Sequence, residues 1–312
     1  MNTALTMRLK DWAILIGLSV LWGGSFLFNE FTLPDFSPTT TTWLRVTIAA
    51  ACLWTLAFVR KVPIPSSPRF WVAIALMGLL NNAIPFSLIV WGQQEIDSGL
   101  ASILNATTPL FTILVAGIFL SDERISPTKL SGVVFGFVGV VIMIGTDQIT
   151  QINTSISPST LAQFAILGAA LCYAIATVFG RRFKAMNVNV IVIAAAQTSL
   201  ASLWLIPVCI SFDGFSELQV ATHTAWLAVL ALGVLSTALA YIGYFAVLSS
   251  AGATNLSLVT FMVPVSAIFL GWLIIGEQLS TSHYLGMLCI ALGLGTIDGR
   301  PLKAIRTKML KP

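Results

Sequence analysis

One arginine, Arg45, stands inside an apolar stretch of the chain, while every other Lys and Arg lies outside such stretches or at their very ends. A guanidinium placed there has three uses. Its long stem can carry the charge out to a polar surface. It can brace helix ends by donating to backbone carbonyls. It can also hold an anionic group of a small molecule, since a charge in an apolar interior needs a cavity or a partner. Two carboxylates also stand out: Glu123 and Glu277 each follow a long apolar run that carries a proline, Pro109 or Pro264. At such ends a carboxylate can cap a helix, or close one end of a path by hydrogen bonds that later break. The two prolines are candidate hinges or static kinks.

Polar and aromatic residues fall in the middle of other apolar runs: Trp22, Ser25, Asn81, Asn82, Asn105, Thr108, Tyr173, Gln197, Tyr241, Tyr244 and Asn255. An amide or hydroxyl needs a partner when it leaves water, so these residues should face the interior of a bundle. They are the candidates for lining a cavity. Bonding from helix to helix is the commoner use of any one of them.

Catalytic chemistry is not indicated. The histidines, His223 and His283, stand at the starts of apolar runs, and no carboxylate lies near the middle of one. The four cysteines (Cys52, Cys172, Cys209, Cys289) lie within apolar runs without metal-ligand spacing, so neither a metal, a cofactor nor a disulfide is expected. There is no Gly-rich loop ending in Gly-Lys-Ser or Gly-Lys-Thr to cradle a nucleotide phosphate.

The elements that must position these residues follow from hydropathy. The chain is 57% hydrophobic and 9% charged, against about 25% charged for a soluble domain. Ten apolar segments are read at 11–29, 38–60, 70–91, 98–120, 128–146, 159–180, 188–212, 223–248, 253–276 and 283–299. A helix needs about 20 residues to cross a hydrocarbon core of about 30 Å. The expected fold is an all-α polytopic membrane protein in the lipid bilayer, with ten transmembrane helices. The basic flank of Arg8 and Lys10 resembles a signal peptide, but the apolar run continues past Phe28 without a cleavage site and reads as a retained helix.

The cations orient the bundle. All fifteen Lys and Arg residues other than Arg45 fall before the first segment, in every second gap and its flanks, or after the last segment. By the positive-inside rule, both termini are cytoplasmic. The same placement explains the net charge of +4 without a nucleic-acid partner. Trp12, Trp43, Trp71, Trp91 and Trp226 lie near segment ends and suit anchoring at the two interfaces.

The halves of the chain match. Glu123, Ser126, Gly132 and Gly139 reappear as Glu277, Ser280, Gly286 and Gly293, each pair 154 positions apart. Residues 1–148 and 159–299 are read as two five-helix units, and 300–312 as a basic cytoplasmic tail. Five is odd, so the second unit must enter the membrane from the opposite side. Inverted repeats are typical of secondary transporters, whose cargo sits near the midplane between them. The glycines also have spacing that lets backbones approach closely, either within the bundle or in a homodimer.

The Leu-Trp-Gly-Gly-Ser-Phe run from Leu21 to Phe26, Arg45 early in the second segment, and the doubled pattern of Pro, apolar run, Glu and spaced Gly resemble the EamA family of the drug/metabolite transporters. The resemblance implies ten helices, cytoplasmic termini, a central cavity lined by both units and a location in a bacterial inner membrane. It also implies efflux of amino acids, other metabolites or toxic compounds. The expected function is therefore a secondary transporter that exports amino acids or similar small metabolites by alternating access. A channel or structural membrane subunit is the alternative, ahead of an intramembrane enzyme.

Overall fold

A computed structural model describes residues 7–121, 123, 125–145, 156–212 and 215–298. Most of the connection at 147–158 and the basic tail at 300–312 lie outside them. Helix starts are written locally. Pro38, Pro127 and Pro158 each open a helix, where a missing N–H costs no bond. The serine before each accepts from the backbone N–H of a first-turn residue: Ser37 from Thr40, Ser126 from Lys129 and Ser157 from Thr160. Thr222 caps a fourth start in the same way, from Ala225.

Eight helices are long and apolar enough to cross a membrane. They are α1 (Leu9–Thr32), α2 (Pro38–Val59), α3 (Pro68–Gly92), α4 (Ser98–Phe119), α5 (Pro127–Ile144), α6 (Pro158–Ala185), α7 (Val190–Phe212) and α8 (His223–Ala251). Two shorter apolar helices, α9 (Val259–Ile275) and α10 (Thr281–Asp298), complete ten. A single turn, Ala253–Leu256, precedes α9. The described residues are otherwise helix and short connection. Helix α1 runs farther than the sequence reading allows and takes in Glu30, because a polar residue one turn from a helix end resembles a loop when read by hydropathy.

The helix pairs have a pattern. The α2–α7 and α5–α10 pairs join matching helices of the two halves. Helix α1 packs on α9, as α6 packs on α4. Helix α3 packs on α6 and α7, as α8 packs on α1 and α2. Exchanging the first five helices for the second five leaves this pattern unchanged. The main core, with Leu15, Leu18, Leu104, Leu110, Ile166 and Ala267, joins α1, α4, α6 and α9. Large apolar side chains such as Phe119, Val134, Trp272 and Leu273 point outward, as a lipid solvent requires.

Cross-linked loops sort the bundle's two ends. Asp35, Glu217 and Glu277 bond residues at one end, which we call the acidic end. Arg8, Lys129, Arg181 and Glu123 lie at the other, the basic end.

The spaced glycines belong to the α5–α10 crossing. A Cβ at Gly132 would lie 2.6 Å from the Gly293 carbonyl oxygen, and one at Gly139 2.6 Å from that of Gly286. The small-residue spacing thus serves contact inside the chain. Gly132→Val should lower the melting temperature in detergent by an amount matching about 1–3 kcal/mol of overpacking. Gly17→Ala, where a Cβ meets nothing within 4 Å, should leave it unchanged.

Candidate functional site

Two of the long helices change their winding midway. In α3, residues Leu79–Ala83 form a π-helical turn, with the Ile84 N–H reaching five residues back to the Leu79 carbonyl. Pro85 follows and has no N–H to close the next α-helical bond. In α8 the π-helical turn is Ala231–Leu239, where the Ala240 N–H reaches the Leu235 carbonyl. The Thr237 hydroxyl also reaches five residues back, to the Leu232 carbonyl, at 2.8 Å. The offset of 154 positions carries 79–83 onto 233–237, within the second turn. Such turns are rare and tend to occur at functional sites.

A glycine just before the first turn and one within the second allow a close approach. A Cβ at Gly78 would lie 2.5 Å from the Gln197 carbonyl oxygen of α7. One at Gly233 would lie 2.6 Å from the Ile48 side chain and 3.1 Å from the Arg45 carbonyl oxygen of α2. Arg45 and Gln197 thus hold comparable places, each against the π-turn of a helix in the other half.

Arg45 is 4% exposed, so it does not snorkel to the surface. Its Nε donates to the Thr237 Oγ1 of α8 at 2.9 Å. The face of its guanidinium lies 3.8 Å from the centre of the Phe86 ring of α3. Tyr173 and Tyr241 are its electrostatic neighbours. Among the described residues no carboxylate is within ion-pair distance of it. A guanidinium has five N–H donors, and one is engaged here.

The Tyr241 hydroxyl accepts from two amides of the other π-turn, Asn81 Nδ2 at 3.1 Å and Asn82 Nδ2 at 3.0 Å. Its own proton is given no acceptor among the described residues. Asn82 is fully buried, and its Oδ1 has no hydrogen-bond partner. The same holds for Gln197 Oε1 on α7 and Ser236 Oγ on α8. Tyr173 lines the cluster from α6, its ring 6.4 Å from that of Phe86. Five residues expected from the sequence therefore gather at one place: Arg45, Asn81, Asn82, Tyr173 and Tyr241.

Gln197 lies against the α3 turn from α7, and the remaining candidates disperse. Trp22 and Tyr244 pair with each other, ring centres 5.8 Å apart, between α1 and α8. Ser25 donates to the Trp22 carbonyl, Thr108 to the Asn105 carbonyl and Asn255 to the Ala251 carbonyl. Asn105 Oδ1 is buried without a partner on α4. Two members of the cluster, Phe86 and Thr237, were not anticipated. A phenylalanine or threonine within an apolar run carries no signal of its own.

The acidic end is tied across the halves by carboxylates at helix starts. Glu277 accepts from Ser98 N at 2.8 Å, Ser98 Oγ at 2.7 Å and Gly99 N at 3.1 Å, and so caps α4. Glu217 accepts from Ser37 N at 2.8 Å at the start of α2. Asp35 accepts from Thr222 N at 3.3 Å at the start of α8. Nearby, Gln93 of α3 joins the Asn29 side chain, the Phe26 carbonyl and Glu30 of α1. Glu123, the sequence counterpart of Glu277, is bonded differently. Its side chain is 44% exposed and lies 3.5 Å from Lys129 Nζ and 3.8 Å from Arg181 Nη1. Pro109 begins the second part of α4 just past a break at Ala106–Thr107, whereas Pro264 is buried within α9.

The profile of the EamA-like transporter family matches residues 11–145 and again 160–297. The chain belongs to this family. Among relatives, "Uncharacterized transporter YoaV" of Bacillus subtilis (strain 168) is 27% identical over 282 residues, covering 90% of this chain and 94% of its own. "Protein PagO" of Salmonella typhimurium is 27% identical, covering 92% and 93%. "Protein PecM" of Dickeya dadantii is 22% identical, covering 98% and 97%. A solved crystal structure shares the fold at a TM-score of 0.66 and 20% identity, covering 93% of this chain and 98% of that one. The EamA assignment makes the chain a transporter of the drug/metabolite type with a small-molecule cargo.

Removing the Glu277 carboxylate deletes three bonds to the start of α4. In this EamA-family chain, Glu277→Ala should cost about 1–2 kcal/mol of stability, the range of a lost helix cap. Glu95→Ala, at an exposed site of the same end, should cost almost nothing. Thermal unfolding in detergent compares the two.

Proposed function

We propose that this chain is a secondary carrier that exports amino acids or similar small metabolites by alternating access, with the Arg45 cluster as its cargo site. One observation carries the reading: a buried guanidinium, without a carboxylate partner among the described residues, lies where the π-turns of α3 and α8 meet α2. A buried charge is costly unless it is paired. Retaining one at a junction of both halves suits a group that receives its partner from the cargo.

The gating part rests on the asymmetry of the two glutamates. In the proposed cycle Glu277 holds the acidic end closed, and its release opens that end. Glu123 does the corresponding work at the basic end, with Pro109 and Pro264 as the bends about which α4 and α9 move. Residues 1–148 and 159–299 are the two exchanging units of the proposal. The double match to the family profile and the invariant pattern of helix pairs support that division. The cation distribution supports placing the basic end and both termini in the cytoplasm, and the family match supports a bacterial inner membrane as the location.

Purified protein in liposomes preloaded with a pool of amino acids and metabolites tests the reading. Saturable exchange against labelled external cargo is expected. Arg45→Ala should lower it at least about tenfold, the worth of a charge-assisted hydrogen-bonded pair. Flux that rises linearly with concentration, without exchange, would instead favour the channel reading.

A further inference from the structure

The donors and acceptors left over at the Arg45 cluster narrow the cargo further, on the basis of the carrier reading above. The guanidinium is a flat group. Phe86 covers a face of it, and Thr237 takes the Nε edge. The edge formed by the two Nη atoms remains unused among the described residues, and that edge presents parallel N–H groups suited to two oxygens of one carboxylate. Tyr241 adds a donor of its own. Its oxygen accepts from Asn81 and Asn82, which leaves the hydroxyl proton to give. Beside these donors lies an unpartnered acceptor, the buried Oδ1 of Asn82, bonded through its own amide to the same Tyr241. Gln197 Oε1, on the helix packed against the same π-turn, is a second.

The charges are unequal. Among the described residues the cluster has one cation and no carboxylate, so a single negative charge balances it and a dianionic phosphate would leave one charge buried without a partner. A positive charge on the cargo has only neutral amide oxygens to meet it, which an uncharged N–H satisfies as well. We infer that the cargo carries a single carboxylate and is recognised through it. The carboxylate occupies the free edge of Arg45 and the Tyr241 hydroxyl, and an adjoining N–H donates to Asn82 Oδ1. The carboxylate is essential to recognition, and a positive charge on the nitrogen is not.

Matched panels of the common amino acids, the amines formed by their decarboxylation and their N-acetyl derivatives test this. Each is scored by the shift in melting temperature of the purified protein and by competition for exchange in liposomes. At least one amino acid should shift the melting temperature and compete. Its amine should be at least about tenfold weaker, and its N-acetyl form should remain within a few-fold. An amine that competes as well as its amino acid, while exchange itself proceeds, would overturn the inference and leave the carrier intact. Exchange by none of the pooled compounds would fail the carrier reading and this one with it.

Arg45→Met separates binding from scaffolding. If Arg45 serves only to tie α2 to α3 and α8, the variant melts lower than wild type without cargo, and the inference fails. If Arg45 awaits a carboxylate, removing a lone buried charge leaves the melting temperature unchanged or raises it, and the cargo-induced shift disappears. Arg45→Lys keeps the charge without the planar fork and should retain only part of that shift.

Discussion

A backbone amide in hydrocarbon has no water to turn to, and the rest of this architecture answers that constraint. It explains why the described chain is helical almost throughout and why its helices start on serine, threonine and proline. It also gives meaning to the carboxylates of the acidic end. Glu277 and Glu217 come from one half of the chain and accept backbone N–H groups from helix starts in the other. Bonds that any helix start requires have become bonds between the halves.

The π-turns work within the same constraint. Each keeps its backbone bonded by reaching five residues back, while widening the helix and turning different side chains inward. Their matched positions bring Asn81 and Asn82 of one turn to Tyr241 just past the other, and Thr237 to Arg45. The polar groups of this site are therefore not scattered intrusions into an apolar bundle. They gather where both halves loosen their winding.

Much of the fold was legible because hydropathy and helix length are local properties. All ten apolar segments contain helices, and the doubled Pro, Glu and Gly pattern announced the family. Five of the cluster's residues stood out as polar or aromatic groups at mid-segment. What escaped the reading depends on contacts distant in sequence. Ser98 lies 179 positions from the Glu277 that caps its helix. The π-turn of α3 has a local correlate in Pro85, but that of α8 has no proline after it. Glu30 was left outside α1 because hydropathy marks where a segment ceases to be apolar and not where a helix ceases to be wound. The burial of Arg45 depends on Phe86 and Thr237, neither of which stands out from its neighbours in sequence.

The pairs α2–α7 and α5–α10 join equivalent helices, so each looks the same from either half. They must therefore straddle the axis that relates the halves. At the α5–α10 crossing glycine backbone meets glycine backbone, Gly132 against Gly293 and Gly139 against Gly286, with Met143, Ile290 and Ile297 packed beside it. Where glycine faces glycine, neither residue has a rotamer to reset if the two sides tilt. Interdigitated side chains transmit strain, and at its glycine pairs the seam offers the bare surface of a bearing.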